Sequence, residues 1–193
     1  MKKDIILAGV GGQGILSIAA IIGLAAVNTG LFLKQAEVHG MSQRGGAVYS
    51  NLRFSDNEIA SDLIPDGKAD MILSLEPMES LRYLPKLAMN GWLITNLKPF
   101  INIPNYPAIE SIIQEIEKLP FHLAIDANDI AKEVGSIRAA NMVILGAATP
   151  FLEIDYNKLE EAIVQSFGKK GQEVVDINLK AMNAGRELAL KKK

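Results

Sequence analysis

Glycines recur in the run Gly9-Val10-Gly11-Gly12-Gln13-Gly14, which follows one apolar stretch and precedes a longer one. Spacing of this kind lets the chain turn tightly and brings backbone N–H groups close to a charged oxygen. The N-terminus of a following helix adds partial positive charge. The chemistry on offer is the holding of an anion: a phosphate, a pyrophosphate or a carboxylate. The same small residues would also serve a tight strand-to-helix crossover that binds nothing. A dinucleotide site asks for more, an acidic residue about 20 positions on at the end of a second strand. Glu37 stands in that range, but Leu31 to Val38 contains Lys34 and Gln35 and makes a poor buried strand. A stand-alone NAD(P)-binding Rossmann oxidoreductase is therefore an alternative that lacks one of its expected parts.

A second loop, from His39 through Gly40-Met41-Ser42-Gln43-Arg44-Gly45-Gly46, sets an arginine between polar residues and glycines. It can present a guanidinium and several N–H donors to a phosphate or carboxylate. Its plainer reading is a hairpin lead-in with a solvated arginine. Two such loops so close in sequence make a shared ligand more plausible than either alone. Other polar residues fall where strands are expected to end: Glu76, Asn96 and Asp126. Ligands of open α/β sheets bind beyond such ends. Capping of the following helices is the simpler job for Glu76 and Asp126, with Asn128 as a second cap candidate. His122, between Phe121 and Leu123, reads as a structural histidine, and Asn141 needs a hydrogen-bond partner if buried. No Ser-His-Asp arrangement, P-loop or metal-ligand cluster is visible in the sequence.

The elements that must position these residues follow from hydrophobic patterning. Ile5 to Val10 reads as a buried strand and Ile15 to Asn28 as a buried helix stopped by Gly30. Residues 47 to 54 alternate as a strand, with Glu58 to Leu63 as its return after a turn at Ser55-Asp56-Asn57. Met71–Glu76, Trp92–Asn96 and Phe121–Asp126 read as further strands. Pro77–Met89 and Ala108–Lys118 read as helices, with a proline-marked loop from Pro99 to Pro107. From Asn128 onward the pattern is helical. The expected fold is α/β: a mainly parallel Rossmann-like sheet with an inserted antiparallel hairpin near residues 47 to 63 and a helical C-terminal part.

Composition narrows the function classes. The 193 residues suit one domain. A net charge of -2 gives no general reason to bind nucleic acid or an anionic membrane. There is no cysteine and only two histidines, which removes thiol nucleophiles, disulfides and cysteine-ligated iron–sulfur clusters from this chain. The uncharged run from Ile5 to Leu33 is split by glycines and preceded by Asp4, so it reads as neither a signal peptide nor a membrane span. A cytoplasmic protein is the expectation.

Gly9-Val10-Gly11-Gly12-Gln13-Gly14, followed by Glu37-Val38-His39-Gly40-Met41-Ser42-Gln43-Arg44-Gly45-Gly46, resembles the gamma-type module of 2-oxoacid:ferredoxin oxidoreductases. Ala69-Asp70, Asn141 with Gly146, and Asn183-Ala184-Gly185 support the likeness, which spans residues 1–193 as a single domain. The second loop is most similar to the branch of that family that takes aryl pyruvates such as indolepyruvate. The resemblance implies a subunit, inactive alone, of a complex that decarboxylates a 2-oxoacid to acyl-CoA and passes electrons to ferredoxin. It implies that thiamine diphosphate and the iron–sulfur clusters lie in a larger partner subunit, with this module on the coenzyme A side. By the same carry-over, Gly9, Gly11, Gly12, Gln13 and Gly14, with Ser42, Gln43, Arg44, Gly45 and Gly46, face an anionic group of CoA or the subunit junction. A purely structural docking module is the remaining alternative.

Overall fold

The computed structural model describes residues 1–39, 45–101 and 103–192. Its first strand, β1 (Lys2–Val10), ends in the glycine loop, and α1 (Ile15–Asn28) follows at the bounds the patterning predicts. The chain continues through β2 (Phe32–His39), β3 (Ala47–Ser55), β4 (Ala69–Ser74), α2 (Pro77–Arg82), β5 (Leu87–Asn96), α3 (Ile109–Glu117) and β6 (His122–Ile125). It closes with α4 (Ala127–Glu133), α5 (Ala140–Ala148), α6 (Tyr156–Phe167) and α7 (Gln172–Lys192).

The strands lie in the order β2-β3-β1-β4-β5-β6. β3 runs antiparallel to both β1 and β2, while β1, β4, β5 and β6 are parallel to one another. All strands except β3 therefore point their carboxyl ends at one edge of the sheet. Alternation along the buried strands divides the core between two faces. Ile5 and Leu7 join α1, α5, α6 and α7 on one side, and Ile6 joins Met78, Ile112 and Ile116 on the other. Central strands covered on both faces read as continuous apolar runs, as β1 does.

The inserted hairpin is present, but it is made of β2 and β3 rather than residues 47 to 63. Phe32 pairs with Ser55 and His39 with Val48. β2 is the edge strand, so it needs one pairing partner and only partial burial; Lys34, Gln35 and Glu37 are tolerated there. Residues 58 to 63 form no strand. They are pinned by side chains: Arg53 Nη1 donates to the carbonyls of Ser61 and Leu63, both at 2.9 Å. The same guanidinium holds buried Asp4 through Nε at 2.7 Å and Nη2 at 2.9 Å.

The helix expected over Pro77–Met89 stops at Arg82. Pro85 sits in a 3₁₀ turn, Leu84–Lys86, and β5 begins at Leu87. Pro85 has no N–H to donate to the preceding turn and its ring crowds that turn, so the α-helix does not run through it and residues 87 to 91 are left to the sheet.

The C-terminal helices are fixed by a backbone-to-backbone crossing. A Cβ on Gly146 of α5 would lie 1.9 Å from the Met182 carbonyl oxygen, and one on Gly185 of α7 would lie 1.9 Å from that of Val143. Only glycine at both positions permits this approach. The crossing seats the start of α5, and with it Asn141, beside the glycine loop.

Candidate functional site

The site forms at the carboxyl edge of the sheet, where the strand directions bring together what the sequence separates. The β1–α1 loop arrives from one strand, and the connection between β2 and β3 ends at Gly45 and Gly46 on the same edge. A backbone hydrogen bond from the Gly11 nitrogen to the Gly46 oxygen, 2.9 Å, joins the two glycine-rich loops directly. Ser42, Gln43 and Arg44 lie outside the described residues.

Within the first loop the residues divide by task. Gln13 turns its side chain inward: Oε1 accepts from the Val10 nitrogen at 2.8 Å, and Nε2 donates to the Leu75 oxygen at 3.2 Å. Both ends of the amide are thus spent, one on closing the loop onto the end of β1 and one on tying it to the residue that follows β4. Gly9 is a packing glycine, since a Cβ there would meet Gln13 Oε1 at 2.8 Å and Ile15 Cδ1 at 2.9 Å. Gly12 and Gly14 take left-handed backbone, with φ of 99° and 90°. A Cβ on Gly14 would approach Asn141 Nδ2 to 2.5 Å, whereas the space beside Gly12 is open. Asn141 Nδ2 donates to the Gly14 oxygen at 3.3 Å. Gly14 is also the N-cap of α1, with no capping side chain and no acid in the first turn. The Ser17 nitrogen is taken by the Gly14 oxygen at 3.1 Å, so the N–H groups of Ile15 and Leu16 are the ones left to whatever binds in front of this buried, apolar helix.

In front of them is a cleft of about 790 Å³, within the range of small-molecule sites. Gly12, Gln13, Gly14 and Ser17 line one part of it, and Arg138 and Lys170 bring positive charge from the helical C-terminal part. None of its lining residues is acidic. Arg138 is exposed. Lys170 stands 5.2 Å from the centre of the Phe167 ring. Asn96 is rigid: Oδ1 accepts from the Ala127 nitrogen at 3.0 Å, and Nδ2 donates to Asn128 Oδ1 at 2.9 Å. Phe100, Ile137, Phe167 and Ile177 supply apolar surface. The arrangement can bind an elongated ligand with anionic groups and an apolar part. Among the described residues the cleft holds no paired acid and base.

The simpler readings of the strand-end acids hold. Glu76 Oε2 accepts from the Glu79 nitrogen at 2.8 Å as the N-cap of α2. Asp126 Oδ1 does the same for the Asp129 nitrogen at 3.0 Å as the N-cap of α4. Asp126 also pairs with Lys98 at 2.9 Å, and the hydrogen bond raises the lysine above its usual range. His122 satisfies its Nδ1 on the Leu119 carbonyl at 2.7 Å. Sequence reading missed Phe100, Arg138 and Lys170. The signal for the last two was a cation beside each helix break, at Gly135-Ser136 and at Gly168–Gly171. Nothing local in the sequence ties those breaks to the first loop.

Comparison with known proteins follows this geometry. A family model described as pyruvate ferredoxin/flavodoxin oxidoreductase matches residues 4–188. Indolepyruvate oxidoreductase subunit IorB of Pyrococcus horikoshii is 39% identical, covering 98% of this chain and 97% of that protein. A keto/oxoacid ferredoxin oxidoreductase gamma subunit from Geobacter sulfurreducens superposes with a TM-score of 0.70 at 26% identity, covering 98% of this chain and 99% of that one. The 2-oxoglutarate:ferredoxin oxidoreductase of Magnetococcus marinus, solved with 2-oxoglutarate, coenzyme A and succinyl-CoA bound, gives 0.78 at 26% identity over 98% of this chain. This chain spans 31% of that longer one.

Proposed function

The chain belongs to the pyruvate ferredoxin/flavodoxin oxidoreductase family, and from that premise we propose that it supplies the coenzyme A face of a 2-oxoacid:ferredoxin oxidoreductase. It is a subunit of an oxidoreductase complex of that type. We take the substrate to be an aryl pyruvate, indolepyruvate first, on the strength of the IorB likeness. Residues 1–193 act as one gamma-type domain, working in the cytoplasm beside a larger subunit. No helix among the described residues is long and apolar enough to cross a membrane. The long apolar run near the N-terminus is spent on β1 and on α1, which packs into the core.

The observation that carries the reading is the cleft. Coenzyme A is a polyanion: a phosphorylated adenosine and a diphosphate carry its charge, with a flat adenine at one end and a neutral thiol arm at the other. The cleft offers left-handed glycines, the open N-terminus of α1, two cations and no carboxylate, and its size suits such a ligand. In this proposal Gly12 and Gly14 present backbone to a phosphate. Gly9, Gly11 and Gln13 shape the loop that does so, and Arg138 and Lys170 neutralise charge. Ser42, Gln43, Arg44, Gly45 and Gly46 belong to the same proposal, supported by the bond between Gly46 and Gly11.

Thiamine diphosphate and iron–sulfur clusters, carried by the larger subunit, supply decarboxylation and electron transfer to ferredoxin. This chain has no cysteine to ligate such a cluster. Co-expression with the large subunit tests the reading. Reduction of ferredoxin by indolepyruvate and CoA is expected only when both chains are present. A large subunit that turns over CoA equally well alone would refute it.

A further inference from the structure

The connection from β5 to α3 brings large apolar side chains to the surface. Phe100 is 42% exposed, Ile101 72% and Ile103 41%. Its described residues form neither helix nor strand. Surface connections are ordinarily the looser parts of a fold, yet this one is fastened from beneath by a carboxylate that solvent does not reach. Glu76, fully buried, holds α2 with Oε2. Its other oxygen, Oε1, accepts from the Phe100 nitrogen at 3.2 Å and from the Tyr106 hydroxyl. One oxygen atom thus anchors the connection on both sides of its apolar stretch. Arg82, the near cation, is committed to Glu79 at 2.9 Å. Among the described residues three neutral donors reach the Glu76 carboxylate, so each of them matters to it.

What the clasp holds in place is Phe100, a half-exposed ring on the wall of the cleft. Buried carboxylates are costly, and capping α2 would need only one of the two oxygens. We propose that Phe100 is a specificity-determining residue of the cleft, an apolar platform for the adenine ring of coenzyme A, and that Glu76 and Tyr106 are its positioning residues. The proposal rests on the reading of the cleft as the coenzyme A site. An adenine presents the same flat π-face that aromatic side chains use to hold bases. A platform at the cleft's exposed wall leaves the interior for the phosphates and the thiol arm.

The test uses the reconstituted two-subunit complex and two acceptors of the acyl group, coenzyme A and pantetheine, which lacks the adenine nucleotide. Phe100→Ala is expected to raise KM for CoA about tenfold, as loss of one base-stacking contact would, with KM for pantetheine and for the 2-oxoacid unchanged. Phe100→Tyr keeps the wild-type value. Tyr106→Phe removes one anchor without touching the cleft and raises KM for CoA alone, by about threefold. Thermal melts of each variant establish that it folds. If Phe100→Ala raises both KM values equally, or leaves both at wild type while Arg138→Ala weakens CoA, the platform is wrong and the cleft reading stands. If Tyr106→Phe has no effect where Phe100→Ala has, the positioning role is wrong. If neither Arg138→Ala nor Phe100→Ala alters any CoA parameter, the cleft reading itself falls.

Discussion

The backbone nitrogen of Gly11 donates to the carbonyl oxygen of Gly46 at 2.9 Å, so two loops that are 35 positions apart meet by main chain alone. A contact of that kind is set by strand direction, not by side-chain choice. β1 delivers Gly11 to the carboxyl edge, and β3, the one reversed strand, starts from that edge just after Gly46. The bond removes Gly11's N–H from the set available to a ligand and leaves that role to the amides around Gly12 and Gly14.

Those two glycines should not respond alike to alanine. Gly12→Ala meets only the cost of a left-handed backbone, about 1–2 kcal/mol. Gly14→Ala adds the approach to Asn141 and should cost about 2–4 kcal/mol. Because the colliding atom is Asn141 Nδ2, Asn141→Ala in the Gly14→Ala background should recover about 1 kcal/mol relative to additivity. Urea melts of the wild type, the three single variants and the double variant check this.

Gly146→Ala and Gly185→Ala should be severely damaging methyl additions. Each Cβ would sit 1.9 Å from a carbonyl oxygen of the opposing helix, and backbone cannot swing aside as a side chain can. A loss of about 3 kcal/mol or more is expected for each, with equilibrium denaturation as the measurement. Separation of α5 from α7 would also displace Asn141, so the double variant should lose CoA affinity in the complex.

Gln13 is predicted to matter for stability before it matters for binding. Gln13→Ala leaves the Val10 nitrogen and the Leu75 oxygen without their present partner, at about 1–3 kcal/mol. Gln13→Glu keeps the acceptor and loses the donor, so it should be milder. Chemical denaturation distinguishes the two, and hydrogen exchange at the Val10 amide should accelerate in the alanine variant alone.

Tyr106 gives a pH dependence. Burial first, then its hydrogen bond to the Glu76 carboxylate, raises the phenol above its usual value of 10.0. A folded-state pKa raised in this way means stability that is complete below pH 10.0 and lost as pH climbs through the folded value. Melting temperature should therefore fall above pH 10, and the fall should be shallower in Tyr106→Phe.

Much of the scaffold was readable from patterning because it is local. α1 appears at its predicted bounds since an apolar, glycine-bracketed run has few alternatives. Residues 47 to 54 do form a strand, but its hairpin partner is misread as residues 58 to 63, because β2 is an edge strand whose polar residues hide its pairing, and residues 58 to 63 borrow their order from Arg53 instead of a ladder. The glycine loop is legible in the sequence as a tight strand-to-helix turn, but its internal division of labour is not. That Gln13 points into the loop depends on Leu75, which follows β4 in a distant segment. Arg138, Lys170 and Phe100 escaped for the same reason: each reaches the cleft from a distant segment, and sequence spacing carries no trace of it.

The most direct measurement is the dependence of the reconstituted complex on coenzyme A when Arg138 and Lys170 are both replaced by alanine. Neither side chain is buried, so the fold should be unaffected. KM for CoA should rise more than about tenfold, as expected for two lost charge contacts to phosphate, with kcat and the KM for the 2-oxoacid within about twofold of wild type. An unchanged KM for CoA in a complex that assembles and turns over normally would contradict the assignment of this cleft.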